Sequence, residues 1–497
     1  MTSRSNKRDK NKHVIVVGAG MGGLASACEL AANGVRVTLL ERHAKPGGKM
    51  RQIQVGDALI DSGPTVFTMR WIFDALFEAA GTSLEEHLTL LPEETLARHA
   101  WLDGSQLDLY ADVDRSVEAI ADFAGRGEAR AYKKFARQSQ SIFETLDKSF
   151  MRARKPSPVE LALSLGITGV PKLYATKPFV SLWHELGQLF SDPRLRQLFG
   201  RYATYCGSSP LEAPATLMLI AHAERSGVWL VDGGMQKLAS ALAELARSHG
   251  AMLQFNADVK TLNTKGGRVT GVTLADGEKI SADAVVFNGD TQALSQGLLG
   301  KTAKKAAKSR TDTSLSAITW SMLARPKGFD LAHHTVFFGD DYTDEFDSLF
   351  DRKDVTALPT VYVCAQDRGP GRTTDELERV FCLVNAPARE LSADEAARYK
   401  ERMDNILARN GLTFTDVQPG STITTPNDFA QLFPATQGAL YGRPTHGWNG
   451  SFSRPGERSK IEGLYFAGGS VHPGPGVPMT AMSGRLAAAS VMADFDV

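Results

Sequence analysis

Four residues near the N-terminus have the types and the spacing that bind a dinucleotide. Gly18, Gly20 and Gly23 satisfy the GxGxxG pattern, and Glu41 follows the first of them by roughly 20 residues. Gly18 permits a tight turn, Gly20 lets the backbone approach a pyrophosphate, and Gly23 lets a helix pack closely on a strand. The Glu41 carboxylate is placed to accept hydrogen bonds from ribose hydroxyls, and it would repel the 2′-phosphate of NADP.

The surrounding elements favour the same interpretation. Residues 14–17 and 35–40 are predicted strands, and residues 24–33 are a predicted helix that ends before Gly34. The N-terminus of that helix would present free N–H groups and a positive dipole end to phosphates. A GxGxxG pattern alone also occurs in glycine-rich turns, but a strand before it and a helix after it predict a dinucleotide site.

Two further segments distinguish FAD from NAD. Residues 45–49, KPGGK, and 57–65, DALIDSGPT, follow the second predicted strand. They resemble the extended fingerprint of FAD-dependent oxidoreductases of the glutathione-reductase type, in which this stretch runs along the pyrophosphate and the flavin. Taken alone, the paired glycines would equally suit an exposed turn.

The C-terminal residues 463–479, GLYFAGGSVHPGPGVPM, combine a short apolar strand with a glycine- and proline-rich loop. A small-residue helix is predicted over residues 480–492. Together with the N-terminal fingerprint, this segment resembles the phytoene desaturase family of carotenoid biosynthesis, and the resemblance covers essentially the whole chain. Gly469 stands where many flavoproteins outside this family have an acidic residue, and Val471 and Pro475 also depart from the commonest family pattern.

The resemblance implies FAD as the cofactor and a set of residues that hold it. These residues are Gly18, Gly20, Gly22, Gly23, Glu41, Arg42, Gly48, Lys49, Gly63, Pro64, Thr65, Val259, Gly468, Gly469, Val477, Pro478 and Met479.

Within the family, residues 201–205, 227–229 and 233–235 are most similar to the members that introduce a 3,4 double bond into 1-hydroxylated acyclic carotenoids. The resemblance implies an acyclic carotenoid substrate, hydride transfer to the flavin, and quinone or oxygen as the final electron acceptor. Three alternatives stay open: a phytoene or neurosporene desaturase, a flavin oxidase of the amine or protoporphyrinogen type, and a prenyl-lipid binder without redox chemistry.

The expected fold is α/β with α+β insertions: a Rossmann-like FAD-binding domain of glutathione-reductase type that carries an inserted substrate domain. Between residues 231 and 290 the pattern predicts a helix at 236–249, a strand at 252–259, hairpin strands and a buried strand at 284–288. We expect the FAD-binding domain to comprise residues 13–100, 230–300 and 455–497. Residues 101–229 and 301–454 form the expected substrate and membrane-facing domain, and residues 1–12 a flexible tail.

Composition excludes several classes of protein. Lys and Arg together number 56, as do Asp and Glu, so an overall basic nucleic-acid binder is not expected. The four cysteines form no CxxC motif, which favours a reducing, cytoplasmic compartment and gives no metal site. The N-terminus has no secretory signal, and the glycines and prolines of residues 463–484 exclude a simple spanning helix there.

Residues 132–155 place aromatic and aliphatic side chains at helical spacing among many cations, and apolar runs continue through residues 156–190. This pattern is typical of an interfacial membrane patch and also of an amphipathic helix packed on the core with a solvated face. Since a carotenoid must be extracted from the bilayer, we expect peripheral association with a membrane surface.

The sequence does not identify the catalytic residue. His446 and His472 are candidates because both lie near the C-terminal flavin segment, although each could simply stabilise a loop. Cys206 has no partner motif and is expected to be a small buried hydrophobe. The spacing of Asp340, Asp341, Asp344 and Asp347 lacks the features of a calcium loop, so we expect a solvated acidic loop.

Overall fold

The computed structural model describes residues 12–166, 169–369 and 376–497. Its strands are β1 His13–Val17, β2 Arg36–Leu40, β3 Gln52–Val55, β4 Ala58–Asp61, β5 Phe67–Thr68, β6 Leu90–Pro92, β7 Thr95–Ala100, β8 Gln106–Tyr110, β9 Val228–Val231, β10 Met252–Gln254, β11 Val259–Lys265, β12 Arg268–Leu274, β13 Lys279–Ser281, β14 Ala284–Phe287, β15 Ser316–Lys327, β16 His334–Phe337, β17 Val361–Ala365, β18 Glu378–Ala386, β19 Thr413–Thr415, β20 Thr422–Thr424 and β21 Leu464–Phe466.

The α-helices are α1 Met21–Ala32, α2 Trp71–Ala79, α3 Val113–Ala124, α4 Arg126–Leu146, α5 Pro158–Ser164, α6 Gly169–Ala175, α7 Leu182–Leu189, α8 Pro193–Gly200, α9 Leu219–Arg225, α10 Gln236–Ser248, α11 Thr291–Ser295, α12 Tyr342–Asp347, α13 Ala393–Arg409, α14 Pro426–Leu432 and α15 Val477–Phe495.

A parallel sheet in the order β10-β2-β1-β14-β21 gathers strands that are far apart in sequence. Apart from His13 at the start of β1, its central strands β1 and β14 consist of apolar residues, and all but the half-buried Val17 are buried, as is typical of parallel strands covered on both faces. Val14 and Val16 pack in the core formed with α1, α10 and α15, whereas Ile15 and Val285 face the three-stranded antiparallel sheet β11-β12-β13. The result is a layer of helices, a parallel sheet and an antiparallel sheet.

A second, mixed sheet has the order β19-β15-β18-β17-β16-β7-β8, with β20 paired to β15. Helices α4, α7, α8 and α9 pack through a core rich in aromatic residues that also includes Leu96, Leu107 and Val336 of this sheet. Helix α13 belongs to a separate core on β15, β17 and β18. These two sheets and their helices confirm the predicted α/β fold with inserted segments.

The strand predicted over residues 252–259 is wrong in one respect. It is two strands, β10 and β11, which belong to different sheets. The chain turns between them at Asn256, whose backbone is in the left-handed region with a φ of 57°. Asparagine is one of the few residues other than glycine that adopts this conformation readily.

Two predicted helices begin earlier than expected, since α1 starts at Met21 and α15 at Val477. The early start of α15 follows from Pro478, which suits the first turn of a helix because its missing N–H has no helical partner there.

The acidic segment is also not a simple loop. Asp341 caps α12 by accepting hydrogen bonds from the backbone N–H groups of Thr343 and Asp344. The expected tail, apart from Lys12, lies outside the described residues. Within the parts of the chain that the structure describes, no helix combines the length and apolar character needed to cross a bilayer.

Candidate active site

A cavity of about 880 Å³ lies where the parallel sheet meets the mixed sheet. Val17, Leu40 and Phe287 line it from the carboxyl ends of β1, β2 and β14. Thr319 and Val336 line it from β15 and β16. Carboxyl ends of parallel strands are where open α/β sheets bind ligands.

The glycines of the GxGxxG pattern form a closely packed turn at one end of this cavity. A Cβ on Gly20 would lie 2.8 Å from Nδ2 of Asn288, and a Cβ on Gly23 would lie 2.0 Å from the carbonyl oxygen of Gly18. Gly18 and Gly20 line the cavity, whereas Gly22 and Gly23 lie behind them against Asn288 and the backbone of Gly468. The turn therefore leaves room for a ligand only beside the backbone of Gly18 and Gly20, which carry no side chain.

Glu41 directly follows β2, beside this turn, and is only 5% exposed. Its Oε2 accepts a hydrogen bond from the Ala19 N–H at 2.7 Å, and its Oε1 accepts one from the His43 N–H at 2.8 Å. A carboxylate can accept about four hydrogen bonds, so Glu41 holds the turn and retains acceptor capacity toward the cavity. Arg42 and Val259 line the same end of the cavity.

The second glycine segment packs directly on the first. The Gly47 N–H donates to the carbonyl oxygen of Ala19 at 2.8 Å, and a Cβ on Gly48 would lie 3.2 Å from Cα of Gly20. Lys49 donates from Nζ to the carbonyl oxygen of Leu440, and burial lowers the pKa of Lys49 to about 8. Gly63, Pro64 and Thr65 continue this wall of the cavity.

The C-terminal segment completes the cavity. Gly468, Gly469, Val477, Pro478 and Met479 all line it. The structure therefore brings together every predicted cofactor residue, with Gly22 and Gly23 contributing packing rather than cavity surface.

Arg454 is a buried cation of the same region that the sequence analysis missed. Its guanidinium donates to the carbonyl oxygens of Tyr441, Gly469 and Arg443, and burial lowers its pKa to about 10. It thereby ties the loop before β21 to the loop after it. An arginine in a loop gives no local signal of burial, so only the tertiary contacts show this role.

The two candidate histidines have structural partners and are not among the residues that line the cavity. Nε2 of His472 lies 3.0 Å from the carbonyl oxygen of Phe150, and burial lowers the pKa of this histidine. Nε2 of His446 accepts the N–H of Ser209 at 3.0 Å, and its Nδ1 lies 2.9 Å from Oε2 of Glu212. These three contacts are typical of histidines that stabilise loops.

Two other groups bear on the chemistry of the site. Cys206 lines the cavity and is half-buried, and burial raises the pKa of its thiol, which disfavours a nucleophilic thiolate. His333, His334 and Cys364 bring three potential metal ligands within 4.8 Å of one another. Nδ1 of His333 lies 2.5 Å from the carbonyl oxygen of Arg368, and Nδ1 of His334 lies 2.7 Å from the Tyr362 hydroxyl, so these nitrogens have protein partners.

The end of the cavity formed by the inserted helices is predominantly apolar. Its walls are formed by Leu146, Phe150, Leu161, Leu173, Leu217, Ile220 and Ala223. Arg201, Tyr205 and Glu224 form one polar group in these walls. An apolar chamber with few polar groups is suited to a long hydrocarbon ligand.

An exposed apolar patch lies beside this chamber. Val159, Leu163, Val170, Tyr174 and Phe179 are between 65 and 74% exposed, and Trp448 is 49% exposed. The Phe179 ring lies 5.9 Å from that of Trp448, which also lines the cavity. By contrast, Tyr132, Phe135 and Ile142 of α4 are buried, so that helix packs on the core with a solvated face.

Comparison with known proteins places the chain in a family. The sequence profile of the flavin containing amine oxidoreductases matches residues 21–492. A hydroxyneurosporene desaturase from Rubrivivax gelatinosus is 49% identical over 98% of this chain and 94% of its own. A phytoene desaturase from Fusarium fujikuroi is 29% identical over 98% of this chain and 90% of its own.

The fold has solved counterparts. A structure of putrescine oxidase with bound putrescine has a TM-score of 0.58 at 14% identity and covers 97% of this chain and 99% of its own, which supports the fold alone. The glycine turn, the Glu41 carboxylate and the bare backbone of residues 468–469 fit a bound dinucleotide. The chain therefore belongs to the flavin containing amine oxidoreductase family, and the predictions of an FAD-dependent oxidoreductase and of homology to carotenoid desaturases are confirmed.

Proposed function

We propose that the protein is a carotenoid desaturase that introduces a 3,4 double bond into a 1-hydroxylated acyclic carotenoid. One observation carries this proposal: a single cavity joins the glycine turn that suits a dinucleotide to an apolar chamber with one polar cluster. The 49% identity to a hydroxyneurosporene desaturase supports the same substrate class.

When bound, FAD would accept the hydride that leaves one carbon of the substrate, while the neighbouring carbon would lose a proton to a base, and quinone or oxygen would then reoxidise the flavin. The chain's own residues would bind FAD and the substrate and orient them toward each other. The N–H groups at the start of α1 would bind the pyrophosphate, Glu41 would accept from a ribose hydroxyl, and Lys49 would add positive charge to the same wall. The loops around Gly63 and Gly468 would hold the flavin end, and the apolar walls of the chamber would exclude water from the reacting carbons.

We propose that residues 13–100, 230–300 and 455–497 act as the FAD-binding domain, with the remaining segments forming the substrate domain. The catalytic base is not assigned to His446 or His472, because both have structural partners and neither lines the cavity.

We further propose that the protein is cytoplasmic and docks on a membrane surface through the exposed apolar patch, which consists of Val159, Leu163, Val170, Tyr174, Phe179 and Trp448. Leu161, Leu173 and Pro178 lie in the same segment and line the cavity, so a carotenoid could pass from the bilayer to the chamber without crossing water. Lys172 is exposed on α6 and could meet anionic headgroups.

The experiment is expression in two matched hosts, one that accumulates 1-hydroxyneurosporene and one that accumulates phytoene, followed by pigment analysis. A longer polyene only in the first host is the expected result. Conversion of phytoene would assign the unhydroxylated substrate instead. No change in either host, with folded and flavin-loaded protein, would contradict carotenoid desaturation. It would favour the alternative of a flavin oxidase of the amine or protoporphyrinogen type.

A further inference from the structure

A buried ionic cluster interrupts the apolar wall of the chamber. Arg201 donates from Nη1 to the Tyr205 hydroxyl at 2.9 Å, and that hydroxyl donates to Oε1 of Glu224 at 2.9 Å. The Tyr202 hydroxyl donates to Oε2 of Glu224 at 2.6 Å. All four residues are largely or fully enclosed, and Arg201, Tyr205 and Glu224 line the cavity.

Arg201 has donors that this cluster does not use. Its Nε and Nη2 are buried and have no hydrogen-bond partner among the described residues, and Nη2 lies 3.9 Å from Oε1 of Glu224, beyond hydrogen-bond distance. Buried polar groups almost always have partners, and an unmatched charged donor is costly. A guanidinium that lines a ligand cavity and has two unmatched donors, Nε and Nη2, indicates that the ligand supplies the missing acceptor.

The charge of the cluster limits what that ligand can be. Glu224 offsets the positive charge of Arg201, so an anionic ligand would be attracted by the one and repelled by the other. The nearby His99 and His334 add no positive charge, because burial holds the pKa of both far below its ordinary value. An amine cation would be repelled by Arg201, which has no acceptor, and would have to bind Glu224, whose two oxygens already accept from Tyr202 and Tyr205. A neutral oxygen, which accepts from Arg201 and needs no counter-charge, fits best.

The position of the cluster relates it to the reacting carbons. Thr65, in the wall of the proposed flavin end, shares a hydrogen bond of 2.7 Å with the Tyr362 hydroxyl, which lies 2.7 Å from Nδ1 of His334. His334 begins β16, which also carries the cavity residue Val336. Besides burial, the positive charge of Arg201 contributes to the lowered pKa of His334, so this chain of hydrogen bonds extends from the proposed flavin end toward Arg201.

We propose that Arg201 binds the oxygen on carbon 1 of the substrate and thereby selects hydroxylated chains. This proposal rests on the proposed function. Carbon 1 is two bonds from carbon 3, so fixing its oxygen also fixes the bond to be desaturated relative to the flavin. A hydrocarbon end would leave the Arg201 donors unmatched and would be rejected.

The test uses purified, FAD-loaded protein in detergent and compares kcat/KM for 1-hydroxyneurosporene and neurosporene. The wild type is expected to prefer the hydroxylated chain by at least about tenfold. Arg201→Met keeps the length of the side chain and removes its donors. This variant is expected to lose most of the preference, because its kcat/KM for the hydroxylated substrate falls. Arg130→Met, at an exposed position of α4, is the matched control and should keep it.

Arg201→Lys keeps the charge beside Glu224 but lacks the Nε and Nη2 donors. It replaces the methionine variant in the test if that variant does not load FAD. This lysine variant should also lose the preference for the hydroxylated chain. Separately, titration of wild-type flavin absorbance should show at least about tenfold tighter binding of the hydroxylated chain. An unchanged preference in a flavin-loaded Arg201 variant, or equal use of both chains by the wild type, would overturn the role of Arg201 while leaving desaturation intact. Conversion of neither chain by the wild type would overturn the proposed function itself.

Discussion

Nδ2 of Asn288 donates a hydrogen bond to the carbonyl oxygen of Gly18 at 3.3 Å, across 270 residues of sequence. This contact joins the end of β14 to the turn after β1. The same amide nitrogen would lie 2.8 Å from a Cβ on Gly20, so the glycine turn is shaped around Asn288.

Gly20→Ala is therefore expected to displace Asn288 and to move the backbone that faces the pyrophosphate. We expect FAD retention to fall by at least about tenfold, because the glycine is required for close backbone approach. The measurement is flavin absorbance per mole of purified protein. Gly127→Ala is the control, since a Cβ there meets nothing within 4 Å. Full flavin content in the Gly20 variant would contradict this description of the site.

The exposed patch predicts membrane binding. Replacing Leu163 and Phe179 together by Ser is expected to reduce co-sedimentation with vesicles of phosphatidylcholine and phosphatidylglycerol by about tenfold or more, because two apolar side chains no longer enter the headgroup region. Val417→Ser, at a site that is also exposed, should leave binding unchanged. Equal co-sedimentation of all three proteins would exclude this patch as the docking surface.

Glu345 predicts a pH-dependent stability. Burial raises its pKa to about 7, with hydrogen bonds from Thr360 partly opposing the rise, and within the described parts of the chain its Oε1 has no partner. The folded protein therefore holds a proton that the unfolded chain releases near pH 4.5, and stability falls as the pH rises from about 4.5 to 7.

Glu345→Gln removes this dependence, so the variant should gain stability relative to the wild type between pH 5 and pH 8. The gain in the free energy of unfolding is at most about 3 kcal/mol. It is followed by measuring the Tm of the variant and of the wild type at each pH and comparing the two. A Tm difference that does not vary with pH would show that Glu345 does not titrate in this range.

His446→Gln tests the exclusion of this histidine from catalysis. Gln can still accept the hydrogen bond from the Ser209 N–H, and His446 is not among the cavity-lining residues. Turnover is expected to stay within about threefold of the wild type, with an unchanged pH profile, because the loss of a general base costs about 100-fold or more. A loss of that size in folded, flavin-loaded protein would restore His446 as a candidate base.

The nucleotide end of the site follows from local sequence rules. The glycine spacing and the acid after the second strand locate it, since a turn and a helix start depend mainly on neighbouring residues. The C-terminal half of the site required a family resemblance, because residues 463–479 have no periodicity that reveals a ligand.

Other features depend on long-range contacts that no local pattern encodes. Asn288, Arg454 and the unmatched donors of Arg201 obtain their roles from segments that meet only in the folded chain. The break of the predicted strand at Asn256 reflects tertiary structure that overrides strand propensity. The apolar residues between 132 and 179 fitted both a membrane patch and an amphipathic helix packed on the core. In the structure the apolar face of α4 is buried in the core, whereas apolar residues of α5 and α6 are exposed.

If one cavity brings FAD and a hydroxylated carotenoid together, a single anaerobic turnover will transfer the substrate's hydride to the flavin. Purified, FAD-loaded protein is mixed with 1-hydroxyneurosporene, and visible flavin absorbance is followed while the pigment is analysed by mass. We predict loss of flavin absorbance in step with a product that is two hydrogens lighter. Flavin that stays oxidised while the carotenoid is demonstrably bound, with no change in pigment mass, would contradict the account.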